Sequence, residues 1–316
     1  MTPNENFMRE VRIPAFAKVN LRLDILGKRA DGFHELRTIF QTISLHDELK
    51  LRETRGTKIA LHIDGNESLS NEAPEKNLVY RAVDALRKEL KIGSGAEIEL
   101  KKTIPAGRGL GGGSSDAAAA LLGYLRLTGK KLASARLMEI GASLGADVPF
   151  FLLGGRALGV NKGDEIYPLE DVGRLAVLVV SPREIHVPTP DAYKWLKAKP
   201  MEAGASGVQD SLTKMAANRK LWEFCALCWS AQGIGLSNDF EGPVFQRHPK
   251  LGKIKRELLR RGAAEASLAG SGSAVFGVFP SPVKARRAAV GFPEEQTFVC
   301  ETISRDRYVR ELKLAR

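Results

Sequence analysis

The chain has 316 residues, 43% of them hydrophobic and 27% charged, with 48 Lys and Arg against 37 Asp and Glu for a formal net charge of +11. That length allows two domains with separate cores. No apolar run reaches the ~20 residues of a membrane span, the N-terminal MTPNENFMREVR lacks an apolar signal core, and three cysteines cannot build a disulfide framework. The composition predicts a cytoplasmic globular protein with no membrane partner. The basic balance fits either an anionic partner or a well-solvated surface.

From Val11 to Leu26 the chain alternates, with Val19, Leu21, Leu23 and Ile25 apolar and Lys18, Asn20, Arg22 and Asp24 polar, which predicts a half-buried strand with Lys18 and Asn20 on one side. A turn follows at Arg29-Ala30-Asp31-Gly32. HELRTIFQTISLHDELKLRE again has period two: Ile39, Ile43 and Leu45 share a face and Phe40 stands on the other. Phe40 is either part of a second packing layer or an aromatic shelf for a flat ring. NLVYRAVDALRKEL predicts a helix capped by Asn77, and residues 96–102 a short strand.

Beyond the glycine-rich stretch described below, helices are predicted from about Ser114 to Leu127 and over 134–144, the latter ending at Gly145. RALGV and EIYPL read as a hairpin, and RLAVLVV (174–180) as a buried strand. Further helices are expected near 191–197, 210–230, 249–261 and 283–290, strands near 274–279 and 296–303, and a surface loop at 203–211. The join between domains falls between Gly155 and Gly173, giving units 1–165 and 166–316. The basic runs at 253–261 and 305–316 read as solvated helix faces or a tail. Neither is interleaved with aromatics as a nucleic-acid platform would be, so no nucleic-acid partner is expected. Cys225 and Cys228 form a C-x-x-C inside an apolar helical pattern and read as core packing, and no H-x-x-x-H spacing marks a metal site.

The chemistry concentrates in PAGRGLGGGSSDAAAALL, where Gly107 to Ser115 holds five glycines and two serines directly before an alanine-rich helix. A helix N-terminus has free amides and the positive end of the dipole, and glycines ahead of it let backbone approach an anion closely. Ser114 and Ser115 could cap the helix or offer hydroxyls to phosphate or metal, whereas Asp116 must turn away from an anion, toward a basic group or backbone. No lysine follows the glycines, which excludes a Walker loop. Gly107, Gly109 and Gly112 satisfy G-x-G-x-x-G, but the helical KKLASARLMEI stands where a dinucleotide fold needs a strand ending in an acid. A protein-kinase loop would lie between strands.

PAGRGLGGGSSDAAAAL resembles the phosphate loop of the GHMP kinases, and further blocks match in the family's order: AFAKVNLRLDILGKRADGFHELRTIFQTISLHDEL, LGADVPFFLLGGRALGVNKGDEI, HVPTPDAY, LSNDFEGPVFQRHP and LAGSGSAVFGVF. The AKVNL, DGFH and GADVPFF blocks are similar to the branch acting on a cytidine-diphosphate-linked methylerythritol in the non-mevalonate isoprenoid route. The resemblance implies an α+β two-domain fold, with an N-terminal mixed sheet of ribosomal S5 domain 2-like type and a C-terminal ferredoxin-like α/β sandwich. It implies ATP and Mg²⁺, a small-molecule substrate carrying cytidine diphosphate, and a monomer or homodimer.

By the same resemblance, Lys18 and Asp147 match the catalytic pair. Pro105, Ala106, Gly107, Arg108, Gly109, Leu110, Gly111, Gly112, Gly113, Ser114 and Ser115 match the ATP loop. Asn20, Phe33, His34, Phe40 and Tyr193 match positions at the substrate, and Gly270, Ser271 and Gly272 a loop that closes over substrate and phosphates. Asp147 follows a helix end and precedes an apolar run, a place where a carboxylate sits stably beside an ammonium group. Two departures stand out: Arg108 where the family often has a small residue, open between phosphate and solvent, and Phe33 where many relatives have Tyr. Another GHMP kinase, of homoserine or mevalonate type, is the rival expectation; it would not need Phe33, His34 and Phe40.

Overall fold

The computed structural model of the protein describes residues 9–196 and 235–314. The expected loop at 203–211, the helix near 210–230 and Cys225 and Cys228 lie outside them. Two long strands, β1 (Glu10–Lys28) and β2 (His34–Thr54), pair antiparallel around the Arg29–Gly32 turn and form the spine of the first sheet. With β3 (Ile59–Asp64), β4 (Gly95–Lys101) and β8 (Ser237–Asn238) the order is β3-β4-β2-β1-β8. The hairpin of β5 (Arg156–Val160) and β6 (Glu165–Pro168) joins through β2. A second, wholly antiparallel sheet has the order β11-β7-β10-β9, from β7 (Ala176–Ser181), β9 (Glu265–Leu268), β10 (Val275–Phe279) and β11 (Gln296–Glu301).

Helices cover the outer face of each sheet. The first carries α1 (Glu67–Ser70), α2 (Leu78–Leu90), α3 (Gly112–Thr128), α4 (Ser134–Leu144) and α5 (Val148–Leu153). The second carries α6 (Thr189–Trp195), α7 (Glu241–Arg247), α8 (Pro249–Arg260) and α9 (Pro282–Ala289). Helix α2 forms where Asn77 accepts from the Val79 amide and Val79, Ala82, Val83 and Leu86 recur on one buried face. Helix α3 is buried from Ser115 to Tyr124, and Ala117 to Ala120 let it lie close beneath β1 and β2.

The layering corrects the reading of β1 as half-buried. Ala17, Val19, Leu21, Ile39 and Ile43 pack against Val177, Val179 and Phe276 of the second sheet. The opposite faces of β1 and β2 contribute Phe16 and Phe40 to a core shared with α3 and α5. Both faces are therefore covered, and Lys18 and Asn20 are buried polar residues in an interior strand. The tail reading of 305–316 is also corrected. Residues Arg305–Glu311 form α10, which buries Tyr308 and Leu312 in the first core. The Tyr308 hydroxyl donates to the Phe151 carbonyl, and Arg126 donates to the Leu312 carbonyl at 2.6 Å. Among the described residues no helix is long and apolar enough to cross a membrane.

Candidate active site

A cleft of about 1390 Å³ opens where the two units meet. All the site residues expected from the sequence line it except Ser115 and Gly272. Its floor is the glycine loop. Gly107, Gly109 and Gly111 have φ of +65°, +79° and +73°, where a side chain is strained. A Cβ on Gly109 would also lie 1.8 Å from the Ala269 carbonyl oxygen. Helix α3 begins at Gly112, two residues earlier than the sequence suggests, with Gly111 at its N-cap and no side-chain cap. Ser115 is the first residue whose amide bonds back, to the Gly111 carbonyl at 2.9 Å. The amides of Gly112, Gly113 and Ser114 thus have no intrahelical acceptor, and all three residues line the cleft. Ser115 serves neither as cap nor as cleft hydroxyl, because its Oγ donates to the Phe16 carbonyl at 2.6 Å.

A buried ionic triad fixes both ends of this loop. Asp47 accepts from the amides of Thr103 and Ile104, where the loop leaves β4. Lys102 Nζ bonds Asp47 and, at 2.7 Å, Asp116 in the first turn of α3. Asp116 therefore turns to a basic partner, as the sequence suggests. Burial pushes its carboxyl above the ordinary range, against the pull of Lys102 and with Asp47 adding to the rise. Lys102 is held above the ordinary lysine value by the two carboxylates despite its own burial. Sequence reasoning missed Lys102 and Asp47, yet both left a signal. Lys102 continues the apolar register of Ala96, Ile98 and Leu100, and Asp47 is the lone charge on the Leu45, Leu49, Leu51 face.

The wall above the loop is β1. Register shifts flank Lys18 to Asn20, between Phe16 and Lys18 and between Asn20 and Arg22. Such bulges re-aim side chains within a strand. The Lys18 amide donates to the Leu110 carbonyl at 3.0 Å, stitching β1 to the glycine loop. Lys18 Nζ donates to Asn20 Oδ1 at 2.7 Å, and Asn20 Nδ2 donates to Thr38 Oγ1 at 2.7 Å. Thr38 in turn donates to the Arg22 carbonyl. Lys18 Nζ is also 3.4 Å from Asp147 Oδ2; the lysine side chain is 5% exposed and the aspartate 32%. Asp147 occupies the junction of α4 and α5, with a carboxylate that bonds nothing in the first turn of α5 and borders the cleft. An ammonium group fixed by a buried amide and facing a half-open carboxylate can neutralise moving negative charge while the carboxylate takes a proton.

At the other end, the rings sit differently. His34 stacks on Tyr193 with centroids 4.7 Å apart, and Tyr193 meets Phe240 edge-on at 4.9 Å. Burial, with Lys28 nearby, holds the His34 imidazole below its ordinary value. Burial and then the Asp147 charge push the Tyr193 phenol up to about 12. Phe33 is 58% exposed, with Lys162 Nζ 4.9 Å from its ring centroid. Phe40 is 2% exposed and stacked on Phe150, so it packs between layers while its edge forms cleft wall below Lys18 Nζ, 5.4 Å from the ring.

The 270–273 segment closes the remaining side. Asn238 donates to the Leu268 and Gly270 carbonyls at 2.8 Å each, and the Ser271 and Thr189 hydroxyls meet at 3.0 Å. Gly270 and Ser271 line the cleft, whereas Gly272 turns toward Leu268. Arg108 borders the cleft and does not simply point to solvent. Its guanidinium donates to Ser273 Oγ and to the Arg183 carbonyl.

An uncapped helix N-terminus behind glycines, with an ammonium–carboxylate pair beside it, is the layout of a small-molecule phosphotransferase. The GHMP kinase N-terminal domain model matches residues 77–155 and the C-terminal model residues 221–295. The chain is 43% identical over 301 residues to a 4-diphosphocytidyl-2-C-methyl-D-erythritol kinase of Solibacter usitatus, covering 95% of this chain and 91% of that one. It is 37% identical to the enzyme of the same name from Pelotomaculum thermopropionicum, covering 92% and 97%. A crystal structure of 4-(cytidine 5'-diphospho)-2C-methyl-D-erythritol kinase superposes with a TM-score of 0.72 at 31% identity, covering 92% and 99%. A homoserine kinase of Cytophaga hutchinsonii, 21% identical with a TM-score of 0.67 over 96% and 98%, shares the fold. The chain belongs to the GHMP kinases, within their 4-diphosphocytidyl-2-C-methyl-D-erythritol kinase family. Its architecture is accordingly the two-domain α+β fold of that family.

Proposed function

We propose that this chain transfers the γ-phosphoryl group of ATP to the tertiary 2-hydroxyl of 4-diphosphocytidyl-2-C-methyl-D-erythritol, in the non-mevalonate route to isoprenoid precursors. The observation that carries the reading is the Lys18–Asp147 pair, 3.4 Å apart, at the cleft that the N-terminus of α3 opens into. The amides of Gly112, Gly113 and Ser114 and the dipole of α3 hold the phosphates. Asp147 accepts the hydroxyl proton as that oxygen attacks the γ-phosphorus, and the bond to the bridging oxygen breaks with its electron pair leaving on ADP. Lys18, oriented by Asn20, steadies the attacking oxygen and the charge on the transferring group. The transition state is loose, so position and neutralisation matter more than base strength.

Mg²⁺ belongs to the nucleotide in this account. Among the described residues no three His, Cys, Asp or Glu side chains form a metal-holding group, and the Lys102 bond engages the Asp116 carboxylate. The Ser114 hydroxyl and the Asp147 carboxylate border the cleft as the oxygens that could complete the ion's shell. Bound there, the ion would offset phosphate charge.

The cytidine diphosphate group is assigned to the open end. Phe33 offers an exposed aromatic face, and Tyr193 and His34 a ring pair held neutral, which suits an uncharged pyrimidine. Lys28 and Lys162 border the same end and fit its diphosphate. Pro105 to Leu110 form the approach to the phosphate floor, and Gly270 and Ser271 the covering loop. The first unit, taken as 1–165, fits a ribosomal S5 domain 2-like class through its mixed sheet under helices. The second, 166–316, fits a ferredoxin-like class through its four antiparallel strands. A cytosolic monomer or homodimer is the matching cellular form.

ADP release measured with the cytidine diphospho-alcohol, free methylerythritol, homoserine and mevalonate tests the reading. Turnover confined to the first supports it; turnover with homoserine or mevalonate replaces it by the rival kinase type.

A further inference from the structure

The two glycine segments of the cleft touch each other directly. The Ala274 amide donates to the Arg108 carbonyl at 3.2 Å. Gly109 lies so close to Ala269 that a Cβ there would stand 1.8 Å from the Ala269 oxygen, and one on Gly270 would be 3.0 Å from the Gly109 oxygen. Glycine segments are conformationally loose, and across this seam one backbone hydrogen bond, from Ala274, joins the two loops. One side chain of the phosphate loop crosses this seam. Arg108 Nη1 donates to Ser273 Oγ at 2.8 Å and Nη2 to the Arg183 carbonyl at 2.9 Å. Ser273 is fully buried and donates onward to the Ile185 carbonyl at 2.5 Å. The planar fork of one guanidinium thus ties three segments: the phosphate loop, the 269–274 loop and the stretch leaving β7.

We propose that Arg108 is a positioning residue, a strut between the two glycine loops that holds the phosphate-binding amides at their working separation. Both terminal nitrogens are committed to protein acceptors on the second unit, so the side chain acts through the loops. Phosphoryl transfer depends on placement to a fraction of an ångström, and a fork that must reach two acceptors at once fixes distance and orientation together. The proposal rests on the nucleotide site assigned above and adds to it a residue that sets the site's dimensions.

Steady-state kinetics of the full chain carrying Arg108→Ala, Arg108→Lys, Ser273→Ala and the Arg108→Ala/Ser273→Ala pair, alongside melting curves, test it. The strut predicts that Arg108→Ala raises the KM for ATP about 10-fold, the scale of one charge-assisted hydrogen bond, with kcat falling less. Ser273→Ala raises the same KM, the double variant is no worse than Arg108→Ala, and Arg108→Lys fails to restore it because an ammonium group cannot span both acceptors. Restoration by lysine with a wild-type KM in Ser273→Ala would mean that the charge itself holds phosphate and would overturn the strut. Additive effects in the double variant, or a lowered melting temperature with an unchanged KM, would overturn it too. Calorimetric binding of ADP to the same variants reads the effect without turnover, so a failure of the assigned reaction leaves the strut testable by itself.

Discussion

The two ends of the cleft are built on opposite plans. At the phosphate end the buried charges have partners inside the protein. Lys102 is locked between Asp47 and Asp116, Lys18 between Asn20 and Asp147, and the loop backbone is held by Asp47 and by the Lys18 amide. At the ring end the aromatic groups satisfy one another or face water: His34 lies on Tyr193, and Phe33 is mostly exposed beneath a lysine. The His34 and Tyr193 rings, 4.7 Å apart, leave no room between them for a third ring. On the proposed function, the end that would place a phosphoryl group is already pinned by partners within the protein, whereas the end that would hold a flat ring is not.

If the phosphate end is prebuilt, its deepest partner should be costly to remove. Asp47→Ala leaves the Lys102 ammonium with Asp116 as its remaining carboxylate and strands two loop amides, and urea denaturation should show a loss of about 3–5 kcal/mol, the range for breaking one side of a buried pair. A loss below 1 kcal/mol would mean that water replaces Asp47 and the end is not rigid. Lys18→Ala and Asp147→Asn act on chemistry instead. Each should lower kcat by about 10²–10³-fold, as for a lost charge-stabilising group, while the ADP dissociation constant measured by calorimetry changes only a few-fold. Loss of nucleotide binding in both would take the pair out of the chemistry.

At the ring end the effects should be smaller and confined to one substrate. Tyr193→Ala removes one stacking face, worth about 0.5–1.5 kcal/mol, and should raise the KM for the cytidine substrate up to about 10-fold with the ATP KM unchanged. A comparable rise in the ATP KM would erase the distinction between the ends. The smallest effect is that of pH on His34. Burial and Lys28 depress its folded-state value, so the folded protein disfavours the proton. Its contribution to stability is complete above the ordinary value of 6.5 and is lost as pH falls below it. Substrate KM should therefore stay flat from pH 8 down to that value and rise only in more acid solution, and His34→Gln should remove the acid rise. A substrate KM that falls as the solution is made more acid would show that His34 works protonated.

How much of this the sequence carried also differs by region. Glycine at positive φ has few substitutes, so the loop at 107–113 was conspicuous, and period-two alternation revealed β1 and β2. The triad was legible but went unread, because a charge on an apolar stripe is easily taken for an edge residue. Helix α5 is too short for its period to show in VPFFLL. Helix α10 reads as solvated since only Tyr308 and Leu312, one turn apart, face the core. The His34–Tyr193 stack and the Arg108–Ser273 bond join segments far apart in the chain, and no local pattern encodes which of them meet.

The most direct test is a crystal structure of the protein with a non-hydrolysable ATP analogue and the cytidine diphospho-alcohol together. The account predicts the triphosphate against the amides of Gly112 to Ser114, with the acceptor hydroxyl between Lys18 Nζ and the Asp147 carboxylate. A triphosphate bound away from the start of α3, or an acceptor hydroxyl out of reach of both side chains, would contradict it.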